Sequence, residues 1–306
     1  MKRPRKGDSL PNMPNIGIIL AGAASKGAYE IGCLRAIEEY FGADSIRCVS
    51  SASIGTLVTQ AHGRGKFDRI EDAWKSIDPR EHGRFFLTYS GNEDILQIIN
   101  SMVKDEDQMR YEHYSSIWNY TQGRVEYIPL HELSGDRLIR YLRGSIAIPF
   151  FSKGECIDGN LIIDGAFLDN IPVYPLLDKD LDYIFCIYFD NCRYFFEREE
   201  FDKKLIKLYD FPNDRMLELM TFRPQEFDGM VQYGYDYTMK TIRSLFDGAD
   251  ATDKDAMYAA IAEREKDLEA TYKPRLTADI VLNNINVMTK RYSKRLTNRV
   301  RKKGHT

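Results

Sequence analysis

The first part of the chain alternates short apolar runs with stretches whose apolar residues recur at helical spacing. Ile16–Leu20 is a continuous apolar run bounded by turn residues, which predicts a buried parallel strand. The spacing over 27–41 predicts a helix, and a second strand over 46–50 runs into another turn and helix. Further strands are predicted over 125–130 and 182–190. This order predicts an α/β fold of three layers, α/β/α, around a mostly parallel central sheet.

The pattern changes at GECIDGNLIID (154–164), where two short apolar runs flank Asp158-Gly159-Asn160. Such a turn is the strongest short signal for a β-hairpin. From residue 191 the chain is rich in charged and aromatic residues and mainly helical in pattern, with no Gly/Ser/Pro linker before it. We therefore expect a flexible basic tail (1–13), a core (14–190) and a helical extension packed on that core (191–306).

The composition indicates that the chain can bury a large hydrophobic core, and the positions of the cysteines argue against a metal centre. The chain has 306 residues, of which 43% are hydrophobic. The five cysteines are Cys33, Cys48, Cys156, Cys186 and Cys192. They are odd in number and mostly lie in apolar segments, which predicts buried reduced thiols, and they form no metal-ligand cluster with the histidines. We therefore expect no metal and no cofactor.

The sequence also carries no targeting signal that we can identify. Its basic start is followed by a polar stretch instead of the apolar region of a signal peptide. No apolar run approaches the roughly 20 residues that span a bilayer. We expect a cytoplasmic protein, with peripheral attachment to membranes.

The net charge of −3 conceals an uneven distribution. Residues 1–8 carry four basic side chains and one acidic one, and residues 290–306 carry eight basic and no acidic ones, which leaves 31 basic and 45 acidic side chains in 9–289. The spacing over 279–303 predicts a basic amphipathic helix. Such a helix either docks on the core with a solvated charged face or binds an anionic membrane surface. No recognition motif for nucleic acid accompanies it, so we expect no nucleic-acid partner.

A row of small residues, AGAASKG (21–27), separates the first strand from its helix. The spacing resembles a degenerate dinucleotide-binding loop. However, Asp44, which lies where a ribose-binding acid is expected, precedes the second strand instead of ending it. The loop is not a nucleotide P-loop either, because Lys26 is followed by Gly and Ala. The other interpretations are close packing of a helix start and a set of backbone N–H groups that bind negative charge.

The second strand ends in Ser51-Ala52-Ser53-Ile54-Gly55, which has the form of a nucleophile elbow with Ser51 in place of the first glycine. At such a turn the hydroxyl of the central serine is exposed at the carboxyl end of the sheet. The small-residue loop would then supply the oxyanion hole. Each loop taken alone is also compatible with a structural helix start. Two such loops on consecutive parallel strands meet at the edge where α/β sheets bind ligands, which favours a catalytic site.

No histidine is marked as the base for this serine. The five are His62, His82, His113, His131 and His305. His62 is expected to face away from the elbow, while the next three lie in polar, loop-like contexts and the last in the tail. The sequence therefore predicts no Ser-His-Asp triad.

Two Asp-Gly pairs offer carboxylates instead. Asp158 fits the hairpin turn, and this explains its presence. Asp164 ends an apolar run and is followed by small residues that let another segment approach. A cap or turn residue is one interpretation of Asp164, but its position at the end of a strand favours an active-site base.

Four motifs in order resemble those of the patatin-like phospholipase family. They are AGAASKGAYEIG (21–32), SASIG (51–55), SIAIPFF (145–151) and IDGAFLDNIPV (163–173). The family has a G-G-G-x-[RK]-G loop, a G-x-S-x-G elbow and a D-G-[GA] motif in this order. The resemblance covers roughly residues 15–190, and FRPQEFDGMVQYGYDYT (222–238) is also similar to a stretch near the end of many bacterial members.

The resemblance implies a patatin-like fold and hydrolysis of phospholipid or lysophospholipid acyl esters through an acyl-enzyme, without a metal. It implies that Ser53 is the nucleophile and that Asp164 is the base, joined by a direct hydrogen bond. It also implies an oxyanion hole formed by the backbone N–H groups of Gly22, Ala23 and Ala24. The supporting motif positions are Lys26, Gly27, Ser51, Gly55, Gly165 and Ala166.

Two departures from the family pattern leave a second hypothesis open. Ala23 and Ala24 replace glycines, and a positive φ at either would cost about 1 kcal/mol or more. Ser51 adds a hydroxyl beside the nucleophile. The second hypothesis is a catalytically silent protein of this fold that binds lipid or regulates a partner. The alanines favour it, and the intact Ser53 and Asp164 favour the hydrolase.

Overall fold

The computed structural model describes residues 13–76, 93–103, 108–149, 152–189, 199–208, 224–250 and 253–271. Cys192, the basic helix predicted over 279–303 and the N-terminal tail, apart from Met13, lie outside these residues. The strands are β1 (Ile16–Leu20), β2 (Ile46–Ala52), β3 (Glu112–Asn119), β4 (Arg124–Pro129), β5 (Glu155–Ile157), β6 (Asn160–Asp164), β7 (Tyr183–Ile187) and β8 (Leu205–Leu208). The α-helices of the described residues are α1 (Gly27–Phe41), α2 (Ile54–Gly63), α3 (Phe67–Ser76), α4 (Glu93–Val103), α5 (Gly135–Ser145), α6 (Glu199–Asp202), α7 (Phe227–Phe246) and α8 (Lys254–Thr271).

The described strands form one mixed sheet in the order β5-β6-β3-β2-β1-β7-β8, with β4 also paired to β3. The strands from β3 to β8 in this order run parallel, while β4, β5 and β6 pair antiparallel. Helices flank the sheet, which confirms the predicted α/β class. The predicted strands β1, β2, β4 and β7 and the predicted helix α1 are confirmed to within a few residues. The sequence does not predict β3, because polar side chains among its buried residues interrupt the apolar pattern of a strand.

The shared edge of β3 brings the ends of β2 and β6 together. β4 covers one edge of β3 over Tyr114–Asn119, so β2 and β6 both use the other edge. β2 pairs in parallel with the first part of β3, and β6 pairs antiparallel with its last residues. Ala52 lies opposite Ser116, and Asp164 lies opposite Ile117. The residue that follows Ala52 therefore meets Asp164 where the two strands end.

The two faces of the sheet are covered differently. Ile18 of β1 and its neighbours on the same face pack in the larger hydrophobic cluster, together with side chains of the long helices. Ile19 points to the opposite face and packs near Leu176 and Phe201, in a short helical turn after β6 and in α6. This alternation is that of a strand buried on both sides, as the apolar run of β1 predicted.

The hairpin and cysteine predictions have different outcomes. Asp158 and Gly159 both have positive φ, of 50° and 75°, in the turn between β5 and β6, which confirms the hairpin. The three cysteines of the apolar strands and helices are free and buried, as predicted: Cys33, Cys48 and Cys186. The prediction is wrong for Cys156, which is exposed. It lies on the edge strand β5, where Ile157 takes the buried position and alternation turns Cys156 outward.

Helices α1 and α7 approach each other so closely that glycine is needed on both. A Cβ atom at Gly32 would collide with the backbone oxygen of Val231, and one at Gly234 would collide with that of Tyr29. The Sγ of Cys33 also donates to the carbonyl of Gly234 at 3.7 Å. The segment that resembles family members near their ends thus packs, through α7, on the helix that follows the small-residue loop.

Gly234→Ala is expected to lower the free energy of unfolding by about 3 kcal/mol, because the added methyl must push two backbones apart. The matched control is Gly229→Ala in the same helix, where an added Cβ would meet nothing within 4 Å. This control is expected to raise the free energy of unfolding by up to about 1 kcal/mol. Denaturant unfolding followed by circular dichroism measures both, and equal effects of the two substitutions would contradict the account of this contact.

Candidate active site

Ser53 lies at a sharp turn between β2 and α2. Its φ of 51° and ψ of −128° fall outside the regions that L-residues commonly adopt. The carbonyl oxygen of Ser53 accepts a hydrogen bond from the N–H of Thr56 at 2.9 Å. Backbone strain of this kind costs roughly 1–3 kcal/mol and persists only where the surroundings hold it. This is the backbone geometry expected of a serine at a sharp turn between a strand and a helix.

Asp164 is the last residue of β6, and both of its carboxylate oxygens accept hydrogen bonds. Its Oδ2 accepts a hydrogen bond from the Oγ of Ser53 at 2.6 Å, and its Oδ1 accepts one from the N–H of Ala166 at 2.9 Å. Its own N–H donates to the carbonyl of Ala147, in the SIAIPFF motif, at 2.9 Å. The side chain is almost fully buried, with 4% exposed. Asp164 is thus held from three sides with one oxygen on the serine hydroxyl.

Burial changes the proton affinity of this carboxylate. It raises the pKa of Asp164 from 3.8 to about 6, while the hydrogen bonds from Ser53 and from the N–H of Ala166 act in the opposite direction. Desolvation therefore outweighs hydrogen bonding. A carboxylate with a pKa near 6 is a better proton acceptor than an exposed one and is still ionised at neutral pH.

The small-residue loop lies against the elbow. A Cβ at Gly22 would lie 2.6 Å from the Cβ of Ser53 and 3.0 Å from that of Ala166, so no other residue fits there. Within the part of the chain that the structure describes, the backbone N–H groups of Gly22 and Ala23 donate no hydrogen bond to another backbone group. These groups are therefore available beside the serine.

The two alanines of this loop cause no backbone strain. Among the described residues other than glycine, positive φ occurs at Ser53 and Asp158, and not at Ala23 or Ala24. The backbone at these two positions is therefore one that alanine adopts without strain, and the reason to favour a silent protein is weakened.

Two glycines, Gly165 and Gly55, permit close approach of the backbone around Ser53 and Asp164. A Cβ at Gly165 would lie 2.5 Å from the carbonyl carbon of Ser116 in β3. A Cβ at Gly55 would lie 3.0 Å from the Cβ of Leu20, at the end of β1. The absence of a side chain at these positions lets the loop after β6 and the start of α2 pack directly on the sheet.

At the start of α1, Gly27 and Lys26 pack against aromatic rings. A Cβ at Gly27 would lie 2.6 Å from the indole ring of Trp74. Lys26 is buried, and its Nζ lies 5.0 Å from the centre of the Phe189 ring. This distance is that of a cation–π contact, which keeps the amine close to the loop.

The interpretation of His113 as a loop residue is wrong. His113 lies on β3, is fully buried, and its Nε2 is 2.8 Å from the Oγ of Ser51. His62 contacts Glu38 and Tyr111 and not the elbow, as expected. No sequence signal marked His113, because burial of a polar side chain depends on partners from distant parts of the chain.

Fold and site together define a class: an α/β protein with a serine at a strand-to-helix turn, in contact with a buried carboxylate at the carboxyl edge of the sheet. Residues 18–177 match the family model described as patatin-like phospholipase, which is more than half of the chain. The chain therefore belongs to the patatin-like phospholipase family. This finding overturns the dinucleotide-binding interpretation, and Asp44 lies in a short helical turn before β2, as the sequence indicated.

Relatives with similar sequences are lysophospholipases of fungi. The lysophospholipase NTE1 of Coccidioides immitis is 26% identical over 188 residues, which is 56% of this chain and 11% of that protein. The lysophospholipase nte1 of Neurospora crassa is 26% identical over 192 residues, which is 56% of this chain and 12% of that protein. The chain thus spans a small part of the length of these relatives.

Two solved structures are similar at a low level. VipD from Legionella pneumophila has a TM-score of 0.43 at 13% identity, covering 76% of this chain and 67% of that one. Human GIVD cytosolic phospholipase A2, in complex with methyl gamma-linolenyl fluorophosphonate, has a TM-score of 0.46 at 11% identity, covering 82% and 60%.

Proposed function

We propose that this protein is a serine-dependent lipid acyl-ester hydrolase in which Ser53 is the nucleophile and Asp164 the general base. The observation that carries the proposal is the hydrogen bond of 2.6 Å from Ser53 Oγ to Asp164 Oδ2. The free N–H groups of the adjacent loop and the family of the chain support it. Among the described residues, the hydroxyl of Ser53 contacts the carboxylate of Asp164 and no histidine, so we assign the proton transfer to this carboxylate.

The proposed reaction has two steps, acylation of Ser53 and hydrolysis of the acyl-enzyme. Ser53 Oγ attacks the ester carbonyl and passes its proton to Asp164 Oδ2, while the N–H groups of Gly22, Ala23 and Ala24 stabilise the oxyanion. The alcohol leaves with the proton from Asp164 and an acyl-enzyme remains. Water then donates its proton to Asp164, attacks the acyl group and releases the fatty acid, and the proton returns to Ser53.

The substrate class follows from the relatives. Proteins that match more than half of this chain are named lysophospholipases, so we propose a lysophospholipid or phospholipid as substrate. Because the site is built by the chain itself from Ser53 and Asp164, the mechanism requires no metal or cofactor.

A fluorophosphonate probe tests the proposal directly. Incubation of the folded protein is expected to add one probe per chain, measured by intact mass, and peptide mapping is expected to place it on Ser53. Release of fatty acid from lysophosphatidylcholine micelles and from diacyl phosphatidylcholine vesicles measures the activity and its preference. Heat-denatured protein is the control and should remain unlabelled. A folded protein that takes no probe and releases no fatty acid would instead support the silent lipid-binding protein.

We also propose that the enzyme works at a membrane surface. Every helix of the described residues is too short or too polar to cross a bilayer. The eight basic and no acidic side chains of residues 290–306 fit an anionic lipid surface, at up to about 1 kcal/mol for each side chain. Truncation after residue 278 is expected to lower co-sedimentation with vesicles that contain phosphatidylserine. Unchanged binding by the folded truncated chain would refute this role.

A further inference from the structure

A chain of buried hydrogen bonds lies beneath the elbow, and the proposed reaction does not use it. Ser51 Oγ is 2.8 Å from His113 Nε2 and 3.2 Å from Thr56 Oγ1. Thr56 Oγ1 is in turn 2.8 Å from Ser115 Oγ. All four side chains are buried, with 0% exposed. The hydroxyl of Ser51, which replaces a family glycine, therefore has two partners in the protein interior.

The direction of these hydrogen bonds can be assigned from one end. Arg64 Nε donates to Gln60 Oε1 at 2.9 Å, which fixes the orientation of the Gln60 amide. Gln60 Nε2 then faces His113 Nδ1 at 2.8 Å and can only donate to it. His113 Nδ1 is therefore the unprotonated nitrogen, and Nε2 carries the proton.

The remaining protons follow in sequence. His113 Nε2–H donates to Ser51 Oγ, so Ser51 donates its own proton to Thr56, and Thr56 donates to Ser115. Burial lowers the pKa of His113 to about 3, and nearby His131 and Arg64 act in the same direction. The imidazole thus stays neutral and keeps this single tautomer across the physiological range of pH.

These bonds join three elements around Ser53. Ser51 belongs to β2, His113 and Ser115 to β3, and Thr56 and Gln60 to α2. Thr56 also donates its backbone N–H to the carbonyl of Ser53. Residues two before and three after the serine are therefore tied to the same network. Such ties oppose relaxation of the uncommon φ of 51° at Ser53.

We infer that His113 is a positioning residue for the nucleophile: its Nε2–H, donated to Ser51, holds the elbow so that Ser53 Oγ faces Asp164 and the small-residue loop. The inference rests on the proposed hydrolase function. His113 contacts neither substrate nor Ser53 Oγ, and it acts through Ser51.

Two substitutions of His113 separate this role from packing. His113→Gln can place an N–H donor where Nε2 lies, whereas the shorter His113→Asn reaches the position of Nδ1 and leaves Ser51 without its donor. His113→Asn is expected to lower kcat about 10- to 100-fold with little change in KM, because small displacements of a reacting group cost this much. His113→Gln is expected to retain kcat to within about threefold, since the donor is kept. Equal kcat values for the two folded variants would overturn the inference.

A double substitution tests whether His113 acts through Ser51. Ser51→Ala is expected to lower kcat about as much as His113→Asn, and the double variant no further, because both remove the same contact. Losses that multiply would overturn the inference. If the wild type neither hydrolyses lipid nor takes the fluorophosphonate, the proposed function fails and the positioning role with it. If the wild type is active and His113→Asn equally so, the inference alone fails.

The tautomer of His113 can also be measured directly in the wild-type protein, independently of any activity. Nitrogen NMR of protein labelled with ¹⁵N-histidine is expected to show that His113 is a neutral imidazole with a protonated Nε2 and does not titrate between pH 5 and 8. The spectrum of His113→Gln assigns this signal. A protonated Nδ1, or titration in that range, would overturn the assignment of the hydrogen-bond chain.

Discussion

Replacing Ser53 by alanine is expected to lower kcat for lysophospholipid hydrolysis by about 10⁴-fold or more, because it removes the hydroxyl that we propose forms the acyl-enzyme. The rest of the site, including the loop N–H groups and Asp164, stays in place, so substrate binding is expected to change little. Release of fatty acid under single-turnover conditions measures kcat, and fluorophosphonate labelling of the variant is expected to disappear.

The control for this experiment is Ser76→Ala. Ser76 is an exposed serine of α3 whose hydroxyl donates to the carbonyl of Ala73 at 2.7 Å. Its replacement is expected to leave kcat and labelling unchanged. If Ser53→Ala retained the activity of the wild type, the nucleophile would have to be another group and the proposed mechanism would be wrong.

Asp164→Asn is expected to lower kcat by about 10³- to 10⁴-fold, because an amide cannot accept the proton of Ser53. The substitution preserves size, and the amide oxygen can still accept the N–H of Ala166. KM is therefore expected to change less than kcat. A variant that kept most of its activity would show that the base lies elsewhere.

The pH dependence of the wild type should report the same group. Because Asp164 must be ionised to act as a base and its pKa is raised to about 6, kcat/KM is expected to fall about tenfold per pH unit below that value. The residual activity of Asp164→Asn is expected not to show this fall of kcat/KM at low pH. A wild-type profile that stays flat down to pH 4 would contradict the assignment of this pKa.

The same substitution should stabilise the fold at neutral and alkaline pH. The folded pKa of Asp164 lies above the unfolded value of 3.8, so its contribution to stability is lost as pH rises from 3.8 to about 6. Asp164→Asn is therefore expected to raise the free energy of unfolding at pH 8 by up to about 3 kcal/mol, an advantage that vanishes near pH 4. Denaturant unfolding at the two pH values measures this, and a variant less stable than wild type at pH 8 would contradict it.

Some predictions from sequence were reliable because their causes are local. The apolar run of β1, the helical spacing of α1 and the Asp158-Gly159 turn each depend on a few neighbouring residues. The elbow at Ser53 is also local, since its small flanking residues lie within five positions. By contrast, the residues around Asp164 allow two roles, a cap or turn residue and an active-site base, and the order of the family motifs favours the second.

Three features could not be obtained in this way. β3 was missed, and with it the burial of His113, because polar side chains that satisfy one another in the interior look like a loop in the sequence. Cys156 was assigned to the interior although edge position and alternation turn it outward. The contact of Gly32 with α7 could not be predicted, because the residues around Gly32 carry no information about a helix some 200 residues away in the sequence.

The sequence by itself determined the class of fold, the hairpin turn, the two small-residue loops and a part of the elements, namely β1, β2, β4, β7 and α1, because these follow from periodicity and turn chemistry over short stretches of chain. Only the tertiary structure decided how the site is assembled. Ser53 and Asp164 are 111 positions apart in the sequence. They meet because the carboxyl ends of β2 and β6 lie next to each other on one edge of β3. The raised pKa of Asp164 and the neutral state of His113 have the same origin, since desolvation depends on what the whole chain packs around a group and not on its neighbours in sequence.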